Sequence, residues 1–129
     1  MDRPRKVLIV EDEPVTSWLL KELILDWGAE LLTAEDGEQA REMAVRHQPD
    51  LILLDVRLPK QSGLDVLSAL RAHPRTCNAK IVIVSVCRPW DILPRNAELE
   101  ADAWIQKPVD LDTFGAMLLD VYQRKPANR

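Results

Sequence analysis

Five strand-like runs, each four or five residues long, alternate with segments of helical period: Lys6 to Val10, Glu30 to Ala34, Leu51 to Leu54, Lys80 to Val84 and Ala103 to Gln106. Val15 to Trp27, Glu38 to His47, Leu64 to His73 and Leu111 to Arg124 read as helices, with a weak fourth helix between Asp91 and Glu100. Runs as uniformly apolar as Val7 to Val10 and Leu51 to Leu54 suit strands buried on both faces. Regular strand and helix alternation implies right-handed crossovers, so the expected architecture is a doubly wound α/β fold with a five-stranded parallel sheet. Turn chemistry falls in the gaps, at Gly28, Asp36-Gly37, Pro49-Asp50 and Ser62-Gly63. A chain of 129 residues is expected to form one domain, ordered from about 5 to 124 with short flexible termini.

A formal charge of -4 and no cluster of Lys and Arg on a single predicted face argue against a nucleic-acid partner. The longest apolar stretches are far short of a membrane span and Met1 to Pro4 lacks the apolar segment of a secretion signal, so a cytoplasmic location is expected. Cys77 and Cys87 fit neither a disulfide framework nor a zinc motif, and His47 and His73 have no partner at ligand spacing. Reduced thiols are the expectation.

The chemistry gathers at strand ends. Glu11 and Asp12 follow the first run, Asp55 follows the third, Ser85 the fourth, and Lys107-Pro108 the fifth. In an open parallel sheet these ends face one crevice. Three carboxylates crowded there need a cation to remain ionised together, which marks a divalent-metal candidate. Singly, each residue has a plain structural reading as a helix cap, a loop hydroxyl or a solvated charge. Together they suit phosphoryl transfer onto a carboxylate, with Asp55 as the nucleophile that forms an acyl phosphate. Asp12 and Asp55 would hold Mg2+ with Glu11 acting through a water, and Lys107 would place a second positive charge on the phosphoryl oxygens. Ser85 would donate a hydrogen bond to one of those oxygens once the group is attached.

On these residues the chain resembles the receiver domain of two-component response regulators, the family of the single-domain chemotaxis regulator. The matching elements are Val10-Glu11-Asp12-Glu13-Pro14, Leu53 to Pro59 with Gly63, Ser85, and Lys107-Pro108, and the likeness runs from Val7 to about Tyr122. It implies a flavodoxin-like (βα)5 fold of strand order 2-1-3-4-5. It also implies phosphorylation of Asp55 by a sensor histidine kinase or a histidine phosphotransfer protein, with no enzymatic activity beyond gain and loss of its own phosphoryl group. The Arg57 backbone carbonyl would be a further metal ligand, and the Lys107-Pro108 peptide would be cis. The implied switch runs from Ser85 to Trp104, which would rotate inward when Ser85 moves to the phosphate, a population shift between two states. Trp104 as a plain edge-strand aromatic is the competing reading.

Departures from the pattern are specific. Glu11 stands in place of the commoner Asp, Val86 follows Ser85 where a small residue is usual, and Glu100 occupies a frequent Gly position where left-handed backbone would cost on the order of 1 kcal/mol. Pro89 and Pro94 cannot both lie inside a helix, so the fourth helix is expected to be short, to start near Pro94, and to leave Trp90 in a loop. Trp90 there is either an interface anchor or folded back over the sheet edge. Cys87 and Arg57, each two residues beyond a site residue, are expected to influence acyl-phosphate lifetime through water access.

The first helix carries one apolar stripe at Leu20, Leu23, Ile24 and Trp27 and a second at Val15, Trp18, Leu19 and Leu25, more than one sheet face covers. Trp18 and Leu19 are candidates either for packing on a neighbouring helix or for docking a partner. In the last helix, Leu111, Phe114, Leu118 and Val121 form an expected core face. The leading function is a stand-alone receiver, monomeric or weakly dimeric, that acts on an unknown output protein. The alternatives are a phosphorelay intermediate and a receiver cut from a longer regulator. A flavin or nucleotide carrier is disfavoured because the four glycines, at 28, 37, 63 and 115, form no Gly-rich phosphate loop. A degenerate receiver is disfavoured by the intact set of site residues.

Overall fold

The computed structural model describes residues 3–93 and 100–124. Its elements are β1 (Lys6–Val10), α1 (Pro14–Asp26), β2 (Glu30–Ala34), α2 (Gly37–His47), β3 (Leu51–Leu54), α3 (Gly63–Ala72), β4 (Lys80–Ser85), α4 (Pro89–Ile92), β5 (Ala103–Gln106) and α5 (Leu111–Gln123). The strands form one sheet in the order β2-β1-β3-β4-β5, with every neighbouring pair parallel. The doubly wound expectation holds, and so does the strand order.

Successive strand residues point to opposite faces, which divides one sheet between two cores. Leu8, Val10, Ile52, Leu54, Ile81 and Ile83 pack with Ala40, Ala44, Val66 and Leu70 of α2 and α3. Val7, Ile9, Leu51, Leu53, Val82 and Val84 pack with Leu20 and Ile24 of α1 and Phe114, Leu118 and Val121 of α5. Each such side chain, once buried, contributes about 1.5–3 kcal/mol. Edge strands β2 and β5 are only partly buried, which is why polar Glu30, Thr33 and Gln106 occur there.

Helix starts follow capping chemistry. The Glu13 carboxylate accepts from the amides of Val15 and Thr16, and Pro14 occupies the first turn, where a missing amide proton costs nothing. Asp36, Ser62 and Asp110 cap α2, α3 and α5 in the same way. Gly28 ends the first crossover at φ 74, a left-handed conformation open to glycine.

Two local expectations need correction. α4 is a single turn that begins at Pro89, so Trp90 lies in a helix rather than a loop. A proline at the first helical position explains the early start. The expected start near Pro94 lies outside the described residues, as do the outermost terminal residues. Trp90 is 72% exposed, with the Arg88 guanidinium 5.2 Å from its ring centroid, so it does not fold back over the sheet. Leu111 is exposed rather than part of the core, because it opens α5 ahead of the packed face.

A buried polar clasp joins α3 to the far half of the sheet. Arg71 donates to the carbonyls of Ala79 at 2.6 Å, Cys77 at 3.1 Å and Glu100 at 2.7 Å, and it pairs with Asp102 at 2.9 Å. Asp102 in turn accepts from the Ile81 amide at 2.8 Å. No described helix is long and apolar enough to cross a membrane.

Candidate functional site

Parallel strands all end on the same side, so β1, β3, β4 and β5 deliver their following residues to one rim. Asp55 is 6% exposed, Glu11 is 4% exposed and Asp12 is open to solvent. One carboxylate oxygen from each lies within 4.8 Å of the other two. Backbone bonds hold them there: the Asp55 amide donates to the Val10 carbonyl at 3.0 Å and the Glu11 amide to the Ala34 carbonyl at 3.1 Å. Lys107 Nζ reaches into the cluster, 3.0 Å from Asp55 Oδ2 and 2.8 Å from Glu11 Oε1. The remaining oxygens meet backbone donors, Asp55 Oδ1 the Arg57 amide at 3.3 Å and Glu11 Oε2 the Glu13 amide at 3.1 Å.

Burial dominates the electrostatics. It pushes the Glu11 carboxyl up to about 7, with the Asp55 charge adding to the effect while Lys107 and the Glu13 amide oppose it. Burial alone would lower the Lys107 ammonium, but the negative charges of Glu11 and Asp55 beside it outweigh that and raise it. The approach of Lys107 to Glu11 Oε1 is an ion pair without hydrogen-bond angle, so this buried oxygen accepts no hydrogen bond. Buried polar oxygens are rarely left that way. Three carboxylates against one ammonium, all hard oxygen donors with one oxygen unsatisfied, fit a small divalent cation.

Ser85 ends β4 fully buried, and its Oγ accepts from the Cys87 amide at 3.2 Å. Trp104, half-buried against the core on the α2 and α3 side, donates from Nε1 to the Cys87 carbonyl at 2.7 Å. Ser85 and Trp104 therefore meet at the two ends of one residue's backbone. The Lys107 amide donates to the Ser85 carbonyl at 2.8 Å, and the Lys107-Pro108 peptide is cis. Val86 is more than half exposed beside this loop, whereas the Cys87 side chain is buried.

The structure thus brings Glu11, Asp12, Asp55 and Lys107 into one cluster and ties Ser85 to Lys107 through the backbone. Trp18 and Leu19 on α1 and Trp90 on α4 lie on helix surfaces apart from it, Trp18 60% exposed and Leu19 half-buried. Sequence reasoning missed two contributors. Glu13 both caps α1 and holds Glu11 through its amide, and its place just ahead of Pro14 and an apolar helix was a readable capping signal. The Cys87 peptide had no signal, because a backbone contact leaves no trace in residue type.

Comparison with known proteins places these features among related chains. The family model for the response regulator receiver domain matches residues 7–119. The transcriptional regulatory protein PdtaR of Mycobacterium tuberculosis is 36% identical over 109 residues, which is 84% of this chain and 52% of that protein. The chain therefore spans about half the length of that relative. The polar-differentiation response regulator DivK of Brucella anthropi is 32% identical over 111 residues, covering 86% of this chain and 90% of DivK. Among solved structures, the response regulator TrrA of Thermotoga maritima in complex with Mg(2+)-BeF superposes with a TM-score of 0.77 at 29% identity, over 91% of this chain and 98% of that one.

Proposed function

Because this chain belongs to the response regulator receiver domain family, we propose that it is a phosphorylatable switch whose Asp55 accepts a phosphoryl group from a phosphohistidine. A carboxylate oxygen of Asp55 attacks phosphorus, the bond from phosphorus to the donor imidazole breaks, and the imidazole nitrogen keeps the electron pair and takes up a proton. The donor is a sensor histidine kinase or a histidine phosphotransfer protein. The observation that carries this reading is the Lys107 ammonium 3.0 Å from Asp55 Oδ2, inside an acidic cluster in which Glu11 and Asp55 are buried.

Glu11, Asp12, Asp55 and the Arg57 carbonyl would hold Mg2+, which when bound supplies neutralising charge for the phosphoryl oxygens. Lys107 turns its ammonium from the carboxylates to the added group, where a preorganised charge is worth most. The Ser85 hydroxyl exchanges its backbone contact for a hydrogen bond donated to the phosphoryl group. That frees the Cys87 amide and disturbs the loop on which Trp104 rests. The outcome is an altered surface for an output protein. A protein acting as a single receiver domain in the cytoplasm, monomeric or weakly dimeric, fits this reading, with no partner nucleic acid.

The exposed apolar flank of α1, at Val15, Trp18 and Leu25, favours docking of a helical histidine-bearing partner there. A relay role, in which Asp55 returns its phosphoryl group to a second histidine protein, uses the same face. Acetyl phosphate with Mg2+ tests the central claim: intact-mass measurement is expected to show one added phosphoryl group on the protein and none on Asp55→Asn. An equal mass gain in the Asn variant would overturn the assignment.

A further inference from the structure

An open groove of about 620 Å3 runs between α2 and α3, on the side of the sheet opposite α1 and α5. Its apolar lining is Val45, Ala69 and Leu70. Both helices follow parallel strands, so their C-terminal ends share one end of the groove, and charge is sorted along it. Glu38 lies in the first turn of α2, where Lys60 engages it at 3.7 Å, and Glu42 lies one turn on. Arg46 lies in the last turn, across from His73 at the end of α3. Arg75 is pinned at this same end, its Nε donating to the Val45 carbonyl and its amide to His73 Nδ1, both at 3.0 Å. Among the described residues neither Nη of Arg75 has a hydrogen bond, and Arg46 forms no ion pair, even with Glu42 one turn away. The C-terminus of a helix ordinarily repels an anion. Here the Ala44, Val45 and His47 carbonyls are already taken by the Gln48 amide, Arg75 and Lys6.

We propose that this groove docks an acidic peptide segment of a partner protein, one apolar side chain lying on Val45, Ala69 and Leu70 and a neighbouring carboxylate held by Arg75 and Arg46. A guanidinium offers a planar fork that matches a carboxylate, and one already fixed by backbone bonds loses little freedom on binding. Sites for small molecules bury most of their ligand, whereas a groove open along its length suits a chain laid across it. The proposal is independent of any chemistry at Asp55.

The test titrates the isotope-labelled protein with a capped peptide, Glu-Glu-Leu-Glu-Glu, and follows amide chemical shifts. Saturable shifts are expected at Val45, Arg46, Ala69 and His73. A peptide with glutamine in place of glutamate, or glycine in place of leucine, is expected to bind at least about tenfold more weakly. Arg75→Gln and Arg46→Gln should each weaken binding to a similar degree, whereas Lys21→Gln on α1, across the sheet, should leave it unchanged. Arg46 is exposed and unpaired, so its variant keeps the fold even if the loss of the Arg75 bonds does not. Shifts confined to other surfaces, equal binding of the glutamine peptide, or undiminished binding to Arg46→Gln would overturn the proposal. So would equal shifts from sodium glutamate alone, which would mark a small-anion site, or concentration-dependent shifts without peptide, which would assign the groove to a second copy of this chain.

Discussion

Gly63 lies against the carbonyl of Asp55 so closely that a Cβ there would sit 2.0 Å from the Asp55 oxygen and 2.8 Å from Val56 Cα. The Gly63 amide also donates to the Val56 carbonyl at 2.7 Å. The start of α3 is thus pressed onto the backbone that presents Asp55, the proposed phosphoacceptor. Both obstacles are main chain and cannot swing aside. Gly63→Ala is therefore expected to lower stability by at least about 1–3 kcal/mol, the range for overpacking, as read from urea denaturation. It should also slow acetyl-phosphate labelling of Asp55, because relief requires moving the Asp55 peptide.

Removing the Asp102 carboxylate takes from the buried Arg71 guanidinium its 2.9 Å ion pair, while its bonds to the carbonyls of Cys77, Ala79 and Glu100 stay in place. Breaking one side of a buried pair typically costs about 3–5 kcal/mol. Asp102→Ala is expected to fall in that range by chemical denaturation, with a loss that changes little between low and high salt. A loss that vanished in salt would mean that the pair is screened like a surface one.

Lys60 adopts φ 69 in the loop after β3, where its ammonium meets Asp36 at 3.5 Å and Glu38 at 3.7 Å. Exposed pairs of this kind contribute little, whereas left-handed backbone costs a side chain roughly 1–2 kcal/mol. Lys60→Gly should hold or raise the urea midpoint. Lys60→Val, β-branched in the same conformation, should lower it.

Trp104→Phe keeps an aromatic ring but deletes the indole donor to the Cys87 carbonyl, now 2.7 Å away. The expected loss is about 1 kcal/mol, the usual net worth of one hydrogen bond. If the bond holds the loop beyond Ser85 in place, amide hydrogen exchange at Cys87 should quicken in the variant. Unchanged exchange would show that the loop is held by other contacts.

Mg2+ held by the proposed site is expected to stabilise the folded protein by mass action, by about 2.7 kcal/mol at 100 times its dissociation constant. EDTA is expected to remove that gain. Asp12→Ala should lose most of it too, since Asp12 is the exposed member of the carboxylate cluster and its charge is the one most available to an incoming ion. Thermal denaturation with and without Mg2+ measures both.

The three central strands were legible because Val7 to Val10, Leu51 to Leu54 and Ile81 to Val84 are buried on both faces of the sheet and are apolar without a break. Site residues were legible for a related reason. A polar residue placed directly after such a run must sit at the strand's end, and parallel strands share that end. The described turn of α4 begins at Pro89, ahead of the start expected near Pro94, because two prolines, at 89 and 94, each offered a plausible first turn, and local rules do not rank them. Leu111 fitted the helical period of α5, but period says which face a residue is on, not how far the neighbouring helix extends to cover it.

What the sequence determined by itself was therefore everything written in period and position: five strands, the helices between them, and acidic, hydroxyl and ammonium groups at one rim. Only the tertiary structure decided which atoms meet. It set Lys107 between Glu11 and Asp55, hung Ser85 and Trp104 on the Cys87 peptide, and closed Arg71 over Asp102. The reason is that these contacts join residues distant in the chain through backbone groups and side-chain reach. Those are fixed by strand register and packing, and neither is encoded in any local pattern.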